Sequence, residues 1–293
     1  MRNCEFLRLA HFLTLERRSG QKVPVSVRKG AGDMNVLELF SLKGKVAVVT
    51  GGAEKFGRQC GLALAQAGAK TYVSSRNADN LARIEASYRA EGCEVRALQL
   101  DLEDEDSIRR FHEQILEENG GQVDVLVNNA GARLMADWND ADNFRRSMNI
   151  YATGLYLITR AFGNAMAERG GGSIINIGSI HGMIGPDASL YEGLGMNGYA
   201  PDYYFVKGGM INFTRIVASY YGPRNVRCNC VSPGGLRSER NTEEFARRYA
   251  QRTFLGRMAG DTDLMGTIVF LASDASRYIT GANIPVDGGY TAK

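Results

Sequence analysis

The sequence predicts an α/β fold: a single Rossmann-type, doubly wound parallel sheet with helices on both faces. Three observations predict it. Strand-like and helix-like segments alternate from Lys45 to the end of the chain, the pattern of successive βαβ units. The first strand-like run leads at once into a glycine-rich turn, Thr50-Gly51-Gly52-Ala53-Glu54-Lys55-Phe56-Gly57-Arg58, that opens a helical pattern. No composition break divides the body, so one domain is expected over 41–293 behind a basic tail over 1–40.

The elements follow in order. Val46–Thr50 is a short β-branched run, read as a buried strand. Phe56–Ala67 has helical spacing and is stopped by Gly68; Lys70–Ser75 is the second strand. Asn77–Glu91 reads as a helix that Asn77 or Asp79 can cap. Val95–Leu100 is the third strand, Ser107–Asn119 a helix and Val123–Asn128 the fourth strand. Ala141–Met166 is helical, Ser173–Gly178 the fifth strand, and Tyr203–Tyr220 a long helix. Val226–Val231 is the sixth strand, Glu243–Gln251 and Asp263–Leu271 are helices, and Asn283–Val286 is a last short strand.

Composition narrows the function classes. With 293 residues, 44% hydrophobic and 23% charged, the chain can bury a sizeable core. A net charge of +3 is too small to argue for a nucleic-acid partner. No apolar run approaches the roughly 20 residues a membrane helix needs. Five Cys without framework spacing, and three His, indicate neither a disulfide scaffold nor a metal cluster. They point to reduced, mostly buried thiols in the cytoplasm. The first 32 residues hold seven Arg and Lys against two Glu. That is the pattern of a disordered tail, a mis-called start ahead of Met34, or an organellar targeting segment.

Two stretches carry chemistry. In the glycine-rich turn, Gly51 and Gly57 allow positive φ and close backbone approach, and the helix start offers free N–H groups to a pyrophosphate. Farther on, Tyr203 and Lys207 stand four apart on one helix face. An ammonium one turn from a phenol favours the phenolate, which suits Tyr203 to acid/base work near neutral pH. Spacing alone is equally met by an exposed surface pair, and Tyr204 competes for the same lysine. At the end of the second strand, Ser75-Arg76 stands where a cofactor site for NAD usually carries a carboxylate. A guanidinium matches phosphate oxygens. NADP(H) is therefore favoured, and NAD(H) is the alternative, with Arg76 then stacked on adenine.

The turn, Asn128-Asn129-Ala130-Gly131 after the fourth strand, and Tyr203…Lys207 together resemble the short-chain dehydrogenase/reductase superfamily over residues 41–293. That resemblance implies a catalytic set of Asn149, Ser179, Tyr203 and Lys207. Ser179 would hydrogen-bond the substrate oxygen and Tyr203 would move the hydroxyl proton. Lys207 would tune Tyr203 and bind the nicotinamide ribose, and Asn149 would hold a water leading to solvent. It also implies cofactor contacts from Gly51, Lys55, Phe56, Gly57, Ser75, Arg76, Asp101, Leu102, Asn129, Ala130, Gly131, Tyr203, Lys207, Pro233, Gly234 and Ser238. Two positions depart from the family pattern. Lys55 replaces the middle glycine of the turn, where its charge can serve a cofactor phosphate. Ser238 replaces a common Thr.

Between Ser179 and Tyr203 the chain is longer than the family's usual stretch, and polar. The expectation is a polar wall for several substrate hydroxyls, with His181 and Tyr191 as contacts beside Ser179 and Tyr203; the alternative is a surface or subunit-contact loop. The C-terminal segment is similar to sugar-acid and polyol members such as gluconate 5-dehydrogenases, and the long loop to oxidoreductases of bacterial nonulosonic acid biosynthesis. The leading reading is an NAD(P)-dependent oxidoreductase of a small polyhydroxylated molecule. Alternatives are a 3-ketoacyl carrier-protein or general ketone reductase and a catalytically silent dinucleotide-binding regulator. The resemblance further implies a homodimer or tetramer built through the helices after the fourth and fifth strands.

Overall fold

The structure is a computed structural model that describes residues 35–131, 134, 135, 138–196 and 198–292. The basic N-terminal segment thus lies outside the described residues up to position 34. The expected domain start at residue 41 falls just after a short 3₁₀ helix, Val36–Phe40, whose Phe40 ring lies 6.3 Å from that of Phe270.

Seven strands form one parallel sheet: β1 (Val46–Val49), β2 (Lys70–Ser75), β3 (Val95–Gln99), β4 (Val125–Asn128), β5 (Gly172–Ile177), β6 (Val226–Pro233) and β7 (Asn283–Val286). Their order is β3-β2-β1-β4-β5-β6-β7. The chain moves outward from β1 through β2 to β3, then crosses back to β4 on the other side of β1. A crevice opens at the carboxyl ends of β1 and β4, where ligands of doubly wound sheets sit.

The helices are α1 (Lys55–Gln66), α2 (Leu81–Arg89), α3 (Glu105–Glu118), α4 (Ala141–Met148), α5 (Leu155–Glu168), α6 (Pro201–Tyr221), α7 (Glu243–Ala250) and α8 (Met265–Ala272). They cover both faces of the sheet, which is why the strands read as continuous apolar runs. In β1, Ala47 and Val49 face a core shared with α1, α2 and α8, while Val46 and Val48 face one shared with α3, α5 and α6. Complete burial of one such aliphatic side chain contributes about 1.5–3 kcal/mol.

Local signals set the boundaries. The Asn77 side chain accepts from Asp79 N and caps a 3₁₀ turn (Ala78–Asn80) that precedes α2. Asp104 caps α3, so this helix starts two residues before the expected Ser107. Asp124 precedes β4 and ties it to β1: its backbone N donates to Val46 O at 2.9 Å and its carboxylate accepts from Val46 N at 2.8 Å. The helical segments expected over 141–166 are α4 and α5, with a π-helical turn, Asn149–Gly154, between them. A third, smaller core of Ile180, Leu190, Phe245, Tyr249, Met258 and Tyr290 joins α7 to the segment between β5 and α6. No helix among the described residues is long and apolar enough to cross a membrane.

Candidate active site

The turn after β1 is built by close approach. A Cβ on Gly57 would lie 2.0 Å from Gly51 O, and one on Gly51 would lie 2.9 Å from Ala130 Cα. Gly51 also has φ +69, which only glycine adopts without strain. Thr50 ties the turn to the end of β4: its hydroxyl accepts from Asn129 N and Ala130 N, both at 3.0 Å. The Asn129 side chain donates to Gly51 O at 2.9 Å. Gly131 lies against the buried Tyr151 ring, whose Cε1 would meet its Cβ at 2.1 Å. Gly51, Gly57, Asn129, Ala130 and Gly131 therefore form one surface at the crevice, with Phe56 packed beneath it against the core.

Lys55 is exposed and has φ +51, one of two non-glycine residues with positive φ among those described. It occupies the left-handed conformation for which the missing glycine is the usual solution.

At the end of β2, Ser75 is half-buried and Arg76 is exposed. The Arg76 backbone carbonyl accepts from Gln99 Nε2 at 3.2 Å, while its guanidinium makes no hydrogen bond or ion pair among the described residues. Arg76 is close enough to Glu103 to act on its charge, but that carboxylate is taken by Arg146 through bonds of 2.7 and 2.8 Å. The Arg146 bond holds the Glu103 carboxyl below the usual range. After β3, the Asp101 side chain accepts from Glu103 N at 3.0 Å, and the Leu102 carbonyl presses on the start of α5, 2.5 Å from where a Gly154 Cβ would sit.

Ser179, Tyr203 and Lys207 come together at the carboxyl end of β5. Ser179 is buried and caps a 3₁₀ turn, Ile180–Gly182; its Oγ accepts from His181 N at 3.1 Å, leaving its proton to donate. Lys207 is 5% exposed, and its Nζ donates to Ile177 O at 2.6 Å. That ammonium lies 5.6 Å from the ring centres of both Tyr203 and Tyr151. Burial pushes Lys207 down from its ordinary value, against the opposing pull of Tyr203. Gly182 lets the 3₁₀ turn and α6 meet, since its Cβ would be 2.4 Å from Lys207 O.

Tyr204 turns elsewhere. Its hydroxyl donates to Gly198 O at 3.3 Å and its ring packs on His181 at 4.5 Å. The four-residue register thus joins Tyr203, not Tyr204, to Lys207. Asn149 opens the π-helical turn and is exposed; Tyr151 of the same turn is buried, its ring centre 5.6 Å from the Lys207 ammonium. π-Helical turns gather at functional sites.

The remaining expected residues divide. Pro233 ends β6 buried, and Gly234 N donates to Val286 O at 3.0 Å. Ser238 is half-buried and its hydroxyl donates to Asn241 Oδ1 at 3.0 Å. His181 lies with Tyr203, at a ring separation of 6.3 Å. Tyr191 instead packs on Phe245 of α7 at 5.7 Å. The polar groups of the long segment also face α7 and the turn after it: Arg252 of that turn binds Asp187 and Ser189, and Arg248 of α7 donates to Ser189 O at 3.1 Å and Glu192 O at 2.7 Å. The Arg252 bond holds the Asp187 carboxyl below its usual range.

Sequence reasoning placed Thr50 in the turn without giving it a role, and missed Tyr151. Thr50 was readable as the hydroxyl opening the turn; the Tyr151 contact was not, because it depends on Gly131 lacking a side chain.

A family model described as enoyl-(acyl carrier protein) reductase matches residues 51–291. Gluconate 5-dehydrogenase of Gluconobacter oxydans (strain 621H) is 32% identical over 267 residues, covering 87% of this chain and 97% of its own. A 3-oxoacyl-[acyl-carrier-protein] reductase of Pseudomonas aeruginosa is also 32% identical, over 256 residues, covering 85% of this chain and 98% of its own. Among solved structures, a gluconate 5-dehydrogenase from Burkholderia cenocepacia J2315 in complex with NADP and tartrate superposes with a TM-score of 0.77. It has 27% identity and covers 88% of this chain and 100% of that one.

Proposed function

Because the chain belongs to the short-chain dehydrogenase/reductase family, as an enzyme of CH–OH groups, we propose that it oxidises or reduces a small polyhydroxylated substrate with NADP(H). The substrate class is a sugar, sugar acid or polyol. The observation that carries the reading is the buried Lys207 ammonium 5.6 Å from the Tyr203 ring, with Ser179 at the same strand end.

The residues present fit a dinucleotide. Gly51, Gly57 and Gly131 leave no room for a Cβ because the turn after β1, the end of β4 and Tyr151 pack closely there, at the strand edge where a dinucleotide would lie. The turn and the start of α1 would hold the pyrophosphate, with Lys55 adding charge and Phe56 bracing the turn. Ser75 and Arg76 would hold a 2′-phosphate, Asp101 and Leu102 the adenine edge, and Asn129, Ala130 and Gly131 the adenosine ribose side. Pro233, Gly234 and Ser238 would line the nicotinamide, and Tyr203 and Lys207 its ribose. NADP(H) is preferred over NAD(H) because Arg76 has no carboxylate partner and the NADP-bound relative lends support. When bound, the nicotinamide gives or takes the hydride.

This chain's own residues do the rest. Ser179 donates its proton to the substrate oxygen and fixes it in place. Tyr203 takes the hydroxyl proton during oxidation or returns it during reduction. The Lys207 charge favours the negative oxygen that Tyr203 carries between those events. Asn149, exposed at the π-helical turn, holds the water through which the proton reaches solvent. His181, beside Tyr203, contacts substrate; Tyr191 acts through the seat of α7.

The sugar-type reading draws support from the gluconate 5-dehydrogenase relatives. A second reading, 3-ketoacyl carrier-protein reductase, is favoured by a relative of the same identity. An absorbance screen with NADP(H) and NAD(H) against sugars, sugar acids, polyols and acyl-carrier ketones decides. Turnover of carrier ketones alone would overturn the first reading. We also place the protein in the cytoplasm, on its four buried free thiols. We propose a homodimer or tetramer through α5 and α6, whose Tyr156, Ile216 and Tyr220 are exposed; light scattering after size exclusion measures it.

A further inference from the structure

We propose that Ser147 and Asp202 form a positioning pair that fixes the register between the helix leading to Asn149 and the helix carrying Tyr203. Ser147 stands two residues before Asn149 in α4, and Asp202 one residue before Tyr203 in α6. Both are 0% exposed, and Ser147 Oγ donates to Asp202 Oδ2 at 2.5 Å. The other oxygen, Oδ1, is buried and has no hydrogen-bond partner among the described residues.

A carboxylate so placed is costly. Burying one costs several kcal/mol unless partners offset it. Two features do so in part: the charge-assisted bond from Ser147 and the first turn of α6, whose positive dipole end favours an acid. Adhesion between the helices does not need this pair, because Phe144 of α4 and Phe205 of α6 already pack 6.0 Å apart, edge to face. An apolar contact holds two helices together but tolerates sliding; a short bond between two buried groups does not. Sliding α4 along α6 would carry the π-helical turn that Asn149 opens, and with it Tyr151, away from Lys207. Misplacement of catalytic groups by about 1 Å costs on the order of 100-fold in rate.

The inference rests on the dehydrogenase reading, and the experiment separates the two. Ser147→Ala, Asp202→Ala, Asp202→Asn and the apolar double variant Ser147→Ala/Asp202→Leu are compared with wild type. The measurements are kcat, KM and the solvent deuterium isotope effect on the panel alcohol that wild type oxidises fastest, NADPH affinity, and thermal midpoint. The alanine variants should lose about 10- to 100-fold in kcat, with NADPH affinity within about twofold and a larger solvent isotope effect. Asp202→Asn keeps the acceptor for Ser147 and should retain most of kcat. The apolar double variant should melt no lower than wild type yet remain slow, a split that a merely structural role does not produce. If Asp202→Ala does not fold, Ser147→Ala and the double variant carry the test. Wild-type kcat and isotope effect in Ser147→Ala, or kcat losses that track the thermal midpoint across the series, would overturn the pair. Full activity in Tyr203→Phe would instead overturn the reading of the site and leave the pair without its purpose.

Discussion

Replacing Lys55 by glycine separates backbone from charge in the phosphate turn. Lys55 has φ +51, and its side chain is exposed. Holding an L-residue in the left-handed region costs about 1–2 kcal/mol. Glycine escapes that cost but loses about 0.5–1 kcal/mol more backbone entropy on folding. The difference leaves Lys55→Gly more stable by up to about 1.5 kcal/mol, which raises the thermal midpoint by at most roughly 3–6 °C for a domain of this size. The ammonium works in the opposite direction. An exposed charge facing a phosphate contributes about 0.2–1 kcal/mol, so its loss should weaken NADPH binding by about 1.4- to 5-fold. Lys55→Asn removes the charge while tolerating the left-handed backbone, and should match the glycine variant in affinity. Lys55→Met keeps the strain and loses the charge, and should gain no stability. Thermal unfolding and NADPH fluorescence titration read the two effects. The affinity difference should shrink above roughly 0.1 M salt, where screening sets in within about 10 Å. A lower midpoint for Lys55→Gly would refute the strain argument; unchanged or tighter NADPH binding would refute the role of the charge.

Three further expectations follow from the same geometry. Tyr203→Phe should lose at least about 100-fold in kcat, the low end of general acid/base contributions, with cofactor affinity little changed. Tyr204→Phe should stay active, because its hydroxyl serves Gly198; the reverse ranking in steady-state assays would sink the register. Arg76→Asp should shift the kcat/KM ratio toward NAD by about 10-fold or more, since a repelled 2′-phosphate loses a charge-assisted bond of about 1.5–3 kcal/mol. No shift in that ratio would count against the NADP preference. Lys207 supplies a pH dependence. Burial holds its folded value below the ordinary 10.5, so the unfolded chain binds the proton more tightly. This group therefore costs stability at neutral pH, and the cost is relieved as pH rises from the folded value toward 10.5. Urea midpoints of Lys207→Met across that window should lack this rise; an identical pH slope in both proteins would contradict it.

The parts of the fold visible in the sequence were those set by local chemistry. Strands buried on both faces read as unbroken apolar runs, and Gly68, Asn77 and the β-branched segments placed the early elements within a few residues. The Tyr203–Lys207 pairing was visible because four residues make one helical turn. What escaped notice depended on residues far apart in the chain. Helical segments were visible between Ala141 and Met166, but nothing in their spacing marked the π-helical turn at Asn149. Asp202 ends the polar stretch before Tyr203 without any local sign that it would be buried against Ser147. The polar stretch after Ser179 was read as a wall for substrate hydroxyls or as a surface or subunit-contact loop; Asp187 and Ser189 meet Arg252, a partner that no local pattern identifies.

The clasp between that stretch and α7 also determines how substrate range can change. Arg248 and Arg252 find acceptors on Asp187, Ser189 and Glu192, and Tyr191 lies on Phe245. A chimera that imports a relative's shorter loop alone strands two guanidinium groups and uncovers an aromatic face. One that imports a foreign 243–252 segment alone strands the carboxylate of Asp187. The two pieces, separated in the chain by all of α6 and β6, form a single exchangeable cassette, and recombination that cuts between them should seldom yield a working enzyme.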